Sequence, residues 1–222
     1  MIGLGAGGHA KVVIEILRQN EQHEIAGLLD PNEELWGTDV LGVPVLGGDQ
    51  QLSALFKQGI RHAFIGVGSV GETSIRRRLF ELASSYGYEM VTAIHSQSVI
   101  SPSVELGHGP TVMSGAIINA SATLGDNVII NTGAIVEHDC IIGHHASVAS
   151  GAVLASTVRV GVGSHIGAGS TIRQSITIGQ GAIIGAGAVV VKDVPNDVIV
   201  VGVPARVLRK REQNSADTEG KL

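Results

Sequence analysis

From Ile94 onward an aliphatic side chain returns at every sixth position. The column runs Ile94, Ile100, Leu106, Val112, Ile118, Leu124, Ile130, Val136 and on to Ile184 and Val190, without exception or insertion. Four residues after the aliphatic the choice is restricted to mostly small or short residues, as at Ala116, Ala122, Ala134, Cys140, Ala146 and Ala152, with Ile176 the largest, and the residue after the aliphatic is often Gly or Asn. A period of six is neither the 3.6 of a helix nor the alternation of an ordinary strand. It fits short flat strands joined by tight turns, with the large aliphatic pointing inward and the small residue letting the chain turn. Three such units close a triangular coil of about 18 residues, and successive coils stack at roughly the 4.7–4.9 Å inter-strand spacing. Stacking buries each aliphatic column continuously, which one repeat cannot do alone. Residues 94–195 are expected to form this β-helix.

Residues 1–93 have another texture. Ile2–Leu4 reads as a strand, followed by Gly5-Ala-Gly-Gly-His9 and a helix with Val12, Val13, Ile16 and Leu17 on its apolar face. Ile25–Leu29 is a second strand ending at Asp30, and residues 43–46 a short one. A helix from Asp49 to about Gln58 buries Leu52, Leu55 and Phe56; residues 63–67 form a strand ending in Gly66-Val-Gly-Ser69; 72–86 is a helix, and 88–93 a strand into the first coil. Strand–helix alternation predicts a small Rossmann-like parallel α/β domain. Residues 196–222 form a C-terminal extension whose polar tail, from Lys210, is expected to be disordered.

Composition narrows the reading. Hydrophobic residues make up 44 % and charged residues 16 % of the chain, which is globular rather than disordered. Thirty-one glycines and only 3 % aromatics demand a core of aliphatic and small side chains. A net charge of −5 with no basic cluster argues against nucleic acid as partner. The lone Cys140 fits a reducing cytoplasm. No apolar run is long enough to span a membrane, and the N-terminus lacks a signal-peptide pattern.

Gly3, Gly5 and Gly8 match the spacing G-x-G-x-x-G, with Asp30 further on. Such glycines let backbone N–H groups approach a phosphate at a helix N-terminus. The turn suits NAD(P) or a nucleoside diphosphate, or is a turn used for packing alone; the domain's small size and lack of a second nucleotide-binding half weigh against NAD.

The repeats Ile166-Gly-Ala-Gly-Ser-Thr and Ile184-Gly-Ala-Gly-Ala-Val, and the closing Val201-Gly-Val-Pro-Ala-Arg206, resemble the hexapeptide-repeat acyltransferases, whose coils form a left-handed parallel β-helix. With Gly5-Ala-Gly-Gly-His-Ala-Lys at the start, nearly the whole chain resembles the sialic-acid O-acetyltransferase and bacillosamine-pathway N-acetyltransferase family. The resemblance implies acetyl-CoA as co-substrate, a UDP-, GDP- or dTDP-linked sugar on the N-terminal domain, a homotrimer, a cytoplasmic setting, and no metal. N-acetylation of an amino sugar is the first expectation and O-acetylation of a sialic acid or similar sugar the alternative; a purely structural helix or a glycine-turn oxidoreductase stands further off.

Acetyl transfer from a thioester needs a base and donors for the developing oxyanion. His138, in Val136-Glu-His-Asp-Cys140, is expected to face outward and to be the base. A neighbouring carboxylate favours the protonated imidazole and fixes which ring nitrogen keeps the proton; Asp139 is the first candidate for that part and Glu137 the second. Asn131…Cys140 resembles the family's catalytic stretch, and Asn131 is placed to orient the incoming amine. Where a bacillosamine-pathway relative has a second histidine touching the acetyl group, this chain has Ser147, whose hydroxyl can still donate. Ser156, one coil along from His138 on the same face, offers its N–H to the oxyanion. The resemblance lays the pantetheine arm along Ala168 and Ala186, between two helices of a trimer; Lys192 or Arg206 would meet CoA phosphates. His144 and His145 are expected at the surface or near the cofactor. The candidate substrate contacts on the N-terminal side are Gly5, Gly7, Gly8, His9, Asp30 and Gly68, with His9 touching the diphosphate or sugar, or else capping the helix.

Overall fold

The structure, a computed structural model, describes residues 1–19, 24–69, 71 and 73–211. The first domain is a six-stranded sheet in the order β3-β4-β2-β1-β5-β6, all parallel except β3 against β4. Its strands are β1 (Ile2–Leu4), β2 (Gly27–Leu29), β3 (Asp39–Val40), β4 (Val43–Gly47), β5 (His62–Ile65) and β6 (Glu89–Met90). Helices α1 (Gly8–Arg18), α2 (Leu52–Lys57) and α3 (Ser74–Ser85) cover it. α1 buries Ala10, Val13, Ile14, Ile16 and Leu17. Val12, expected on that face, is more than a third exposed and borders a cavity.

From Ala93 to Val190 the chain winds through seventeen two-residue strands on three faces of a left-handed parallel β-helix. Each strand pairs with its counterpart in the next coil: Ile129 with Ser147 and Ser147 with His165 on the first face, Ile135 with Val153 on the second, Ile141 with Arg159 on the third. The predicted aliphatic column is the core, buried from Val112 to Val190. Its earliest members, Ile94, Ile100 and Leu106, are only partly covered, because no coil lies beneath them.

The corners are built differently from the expectation. The small residues, such as Ala116 and Ala134, do not make the turn; they are fully buried inside the prism. The residue before each of them turns the chain in the left-handed region, with φ between 56° and 70°, from Gly109 to Gly187. Non-glycines fill several of these places, including Asn127, Asp139, His145 and Thr157. The frequent glycine after the aliphatic has a second cause. At the corner joining the third face to the first, the residues are Gly107, Gly125, Gly143, Gly161 and Gly179, one per coil. A Cβ at any of them would lie 2.5–2.8 Å from an atom of the coil above.

The N-terminal domain lies on the first face. Ala93, Met113 and Ile129 join Val13, Ile14, Ile16 and Leu17 in one apolar cluster. Arg76 of α3 ties the two parts together. Its guanidinium is fully buried, donates to Ile65 O at 3.1 Å and Val67 O at 2.9 Å, and reaches Asn127 O and Thr111 Oγ1 of the prism at 3.4 and 3.3 Å. Burial pushes it down to about 9, so it keeps its charge at neutral pH.

Beyond the prism, Val198–Val201 and Arg206–Lys210 form an antiparallel hairpin that extends the first face. Lys210, expected to begin a disordered tail, ends that hairpin; residues 212–222 lie outside the described residues.

Two outcomes follow for stability. Gly161→Ala, which sets a methyl 2.5 Å from Gln180 N, is expected to cost about 1–3 kcal/mol by overpacking. Gly151→Asn, left-handed but with open space around it, is expected to stay within about 1 kcal/mol. Thermal unfolding of both variants checks the contrast. Arg76→Met strips several buried carbonyls of their donor, at about 1–3 kcal/mol each; calorimetry is expected to show the N-terminal domain melting before the prism, where the wild type melts as one unit.

Candidate functional site

The glycine turn is shaped for an anion. Gly5 has φ +102° and donates its N–H to Leu29 O at 2.7 Å. A side chain there would strike Val67 at 2.5 Å. Gly3, by contrast, is a packing glycine, because a Cβ would lie 2.4 Å from the Phe64 ring. Gly7 and Gly8 have nothing within 4 Å of a would-be Cβ. Gly7 caps α1 without a side-chain hydrogen bond, and the first turn holds no acidic residue. The N–H groups at this end are therefore open to a phosphate. Asp30 braces the turn: Oδ2 accepts from Ala6 N at 2.8 Å and Oδ1 from Asn32 N at 3.0 Å.

His9 does not cap the helix. Its ring packs over Gly68, where a Cβ would come within 3.3 Å of Nδ1. Nε2 is buried with no hydrogen-bond partner among the described residues. Burial, with the Arg76 charge adding to it, pushes the imidazole down to about 3. His9 is thus neutral near pH 7 and offers a ligand a hydrogen bond, not a charge.

Between this turn and the first face of the prism lies a cavity of about 340 Å³, within the usual size of small-molecule sites. Gly8, His9, Gly68 and Ser69 border it on one side, Asn131 and Ser147 on the other. Ser147 Oγ is 2.7 Å from His165 Nδ1 and 3.2 Å from Ser69 Oγ. His165 is buried, which lowers its pKa and keeps the ring neutral. Sequence reasoning passed over both Ser69 and His165. The available signal was spacing: position 165 follows 147 by one full turn of the repeat, so the two stack in adjacent coils.

His138 stands elsewhere, at the corner between the second and third faces, with its side chain 54 % exposed. Asp139 occupies the left-handed position of that corner, and its carboxylate meets His138 Nδ1 at 2.7 Å. Glu137 turns away to Asn119 Nδ2, 3.0 Å distant, so Asp139 is the histidine's partner. Thr157 N donates to His138 O at 3.0 Å, which puts Ser156 directly above His138 in the next coil. Lys192 continues the same column further along.

The cofactor candidates do not form one groove on a single chain. Ala168 and Ala186 share the corner of Asn131, between the first and second faces. Ser147 opens into the cavity rather than toward His138, because it sits at an outward position on the face that the N-terminal domain covers. Arg206 lies in the terminal hairpin. His145 belongs to the domain contact, edge-on against Phe80 of α3, whereas His144 stands at the surface of the prism, where its Nδ1 accepts from Asp126 N of the neighbouring coil at 2.9 Å. Asn131 and His138 are separated by a whole side of the triangle, or up to roughly 25 Å of extended chain. Among the described residues no group of three or more His, Cys, Asp or Glu side chains is placed to hold a metal ion.

Comparison with known proteins agrees with this architecture. Residues 2–83 match the PglD N-terminal domain family, and residues 121–156 match the bacterial transferase hexapeptide family (six repeats). A search of curated protein sequences found no match. Among solved structures, PerB from Caulobacter crescentus in complex with CoA and GDP-perosamine is 42 % identical over 93 % of this chain and 95 % of its own, with a TM-score of 0.86. Two further structures of that perosamine N-acetyltransferase carry a histidine replaced by asparagine or alanine. The acetyltransferase domain of PglB from Neisseria gonorrhoeae is 34 % identical over 93 % of this chain and 98 % of its own (TM-score 0.83), and has also been solved with acetyl coenzyme A. WeeI from Acinetobacter baumannii is 30 % identical over 94 % and 99 %, with a TM-score of 0.82. With its glycine turn, its hexad prism and these relatives along nearly its whole length, the chain belongs to the hexapeptide-repeat sugar N-acetyltransferases.

Proposed function

We propose that this enzyme moves the acetyl group of acetyl-CoA onto the amino group of a nucleotide-linked sugar, with His138 as general base, at a site shared by two copies of the chain. One observation carries the reading: a phosphate-ready cavity and an exposed His–Asp pair stand at opposite ends of the same prism face. Each half lacks what the other supplies.

The face between them favours assembly. Its outward residues are Val99, Ile117, Ile135, Val153, Thr171 and Val189, nearly all aliphatic, and Val99 is 63 % exposed. The third face carries Glu105, Thr123, Ile141, Arg159 and Thr177 instead. An apolar stripe of this kind is an interaction surface. Three prisms turning it toward a common axis would bring the His138 corner of one chain beside the Asn131, Ala168 and Ala186 corner of the next. The pantetheine arm would then lie between the two corners, where small residues leave room for it.

The chemistry is a direct displacement. The sugar amine attacks the thioester carbonyl carbon, the tetrahedral adduct expels the CoA thiolate, and the amine's proton passes to His138 Nε2 and on to the sulfur. Asp139 accepts Nδ1–H and so keeps the Nε2 lone pair free. Ser156 N–H, which makes no hydrogen bond to another described residue, lies one coil above the base and is our candidate for the oxyanion donor. On the substrate side the open N–H groups after Gly7 receive the diphosphate, and His9 Nε2 gives a further hydrogen bond. GDP-perosamine is the first substrate to test, because it is bound in the Caulobacter relative; UDP- and dTDP-linked amino sugars come next. Acetyl-CoA and nucleotide sugars are both cytoplasmic metabolites, and we place the reaction there.

His138→Ala is expected to lower kcat by at least about a hundredfold, with both KM values changed little; near-normal turnover would remove His138 as the base. Gly8→Asp, which sets a carboxylate where the diphosphate should lie, is expected to be inactive as well. Refolding the two inactive chains together is expected to restore part of the activity, because some mixed sites take an intact corner from one and an intact cavity from the other. Mixed assemblies that stay inactive would contradict a shared site.

A further inference from the structure

One wall residue of the cavity, Ser147, is bonded to the buried His165 behind it, and the transfer step at His138 uses neither. Ser147 is 2 % exposed and His165 7 %. They are register partners on the covered face, and a 2.7 Å bond joins Ser147 Oγ to His165 Nδ1, at the short end for a neutral pair. A serine hydroxyl has one donor and two acceptor directions. His165 takes one of them and Ser69 Oγ, at 3.2 Å, another. The third is left for whatever enters the cavity that Ser147 borders.

The surroundings indicate what would enter. The lining mixes apolar side chains, Val12, Met113 and Ile129, with the polar Ser69, Asn131 and Ser147. A pyranose ring has the same mixed character, with C–H groups on its faces and hydroxyls along its edge. Gly8, at the helix N-terminus where the diphosphate would sit, borders the same cavity, so a sugar attached to that diphosphate would extend into it. A bare nucleoside diphosphate would leave that space empty.

We propose that Ser147 binds a ring hydroxyl of the sugar, and that His165 is its positioning residue, holding the Ser147 oxygen in the one orientation that faces the ligand. The proposal rests on the nucleotide-sugar reading above and adds a residue-level source of sugar recognition to it. A hydroxyl fixed in a buried site discriminates strongly against ligands that cannot pair with it. His165, with no route of its own to the reacting atoms, acts only through Ser147.

Calorimetric titration of the full chain with GDP and with GDP-perosamine separates the possibilities. Ser147→Ala and His165→Leu are each expected to weaken GDP-perosamine about tenfold while leaving GDP within about twofold. The double variant is expected to bind no more weakly than either single variant, as for two residues acting as one unit. Ser147→Thr, which keeps the hydroxyl, is expected to stay within about threefold of wild type. In steady-state assays the loss is expected in KM for the nucleotide sugar, with kcat and KM for acetyl-CoA nearly unchanged. If His165→Leu fails to fold, the Ala–Thr contrast at position 147 decides the matter alone. Unchanged GDP-perosamine binding in Ser147→Ala, or equal weakening of GDP and GDP-perosamine, overturns the proposal. A wild-type chain that binds GDP-perosamine but transfers no acetyl group rejects the catalytic reading and leaves this recognition role standing; one that binds GDP but no amino sugar rejects both.

Discussion

The stacking of one coil directly on the next is the constraint on which everything else depends. Parallel pairing between coils fixes the rise, and the inward aliphatics fix the triangular section. At one corner the backbones approach so closely that a glycine is required in every turn, from Gly107 to Gly179. A prism held this way has no freedom to rotate a coil. Outward residues one coil apart must therefore stand in straight columns, and chemistry placed on a column is placed with the precision of the backbone. His138 and Ser156 share one column, Ser147 and His165 another.

The N-terminal domain converts one of those columns into a cavity. It covers the first face through apolar contacts of α1 with Ala93, Met113 and Ile129, and through the buried Arg76, which binds carbonyls of both parts. The guanidinium lies behind His9 and helps keep that ring neutral. The glycine turn, the neutral His9 and the Ser147–His165 pair are thereby set around one space. The second face stays uncovered and apolar, and it separates that space from the His138–Asp139 pair. On the proposed mechanism the two would meet only when a second copy is added, which would make assembly a condition of activity.

Much of the fold could be read from the residues because period six survives without a gap from Ile94 to Val190. The alternation of elements before residue 93 was legible for the same reason: apolar runs such as Ile2–Leu4 and 63–65 are short and clearly bounded. His138 with Asp139 was visible as an imidazole between two acids, although sequence left Glu137 open; the structure decides because Asn119 takes Glu137 away. The turns were assigned to the wrong residue, since a buried alanine and the left-handed residue before it recur with the same period and only φ tells them apart. Ser69 and His165 were missed because their role depends on which face the first domain covers, and that choice is made by tertiary contacts. Val12 was misplaced for a related reason: a helix beside a cavity has an apolar residue that neither faces the core nor meets open solvent.

The most direct measurement is a crystal structure of the assembled enzyme with CoA and GDP-perosamine bound. The sugar is expected in the cavity between the glycine turn and the first prism face, with its amine about 2.6–3.2 Å from Nε2 of a His138 contributed by another copy. An amine held by the His138 of the same chain, or a nucleotide sugar bound away from Gly7 and Gly8, would contradict this arrangement.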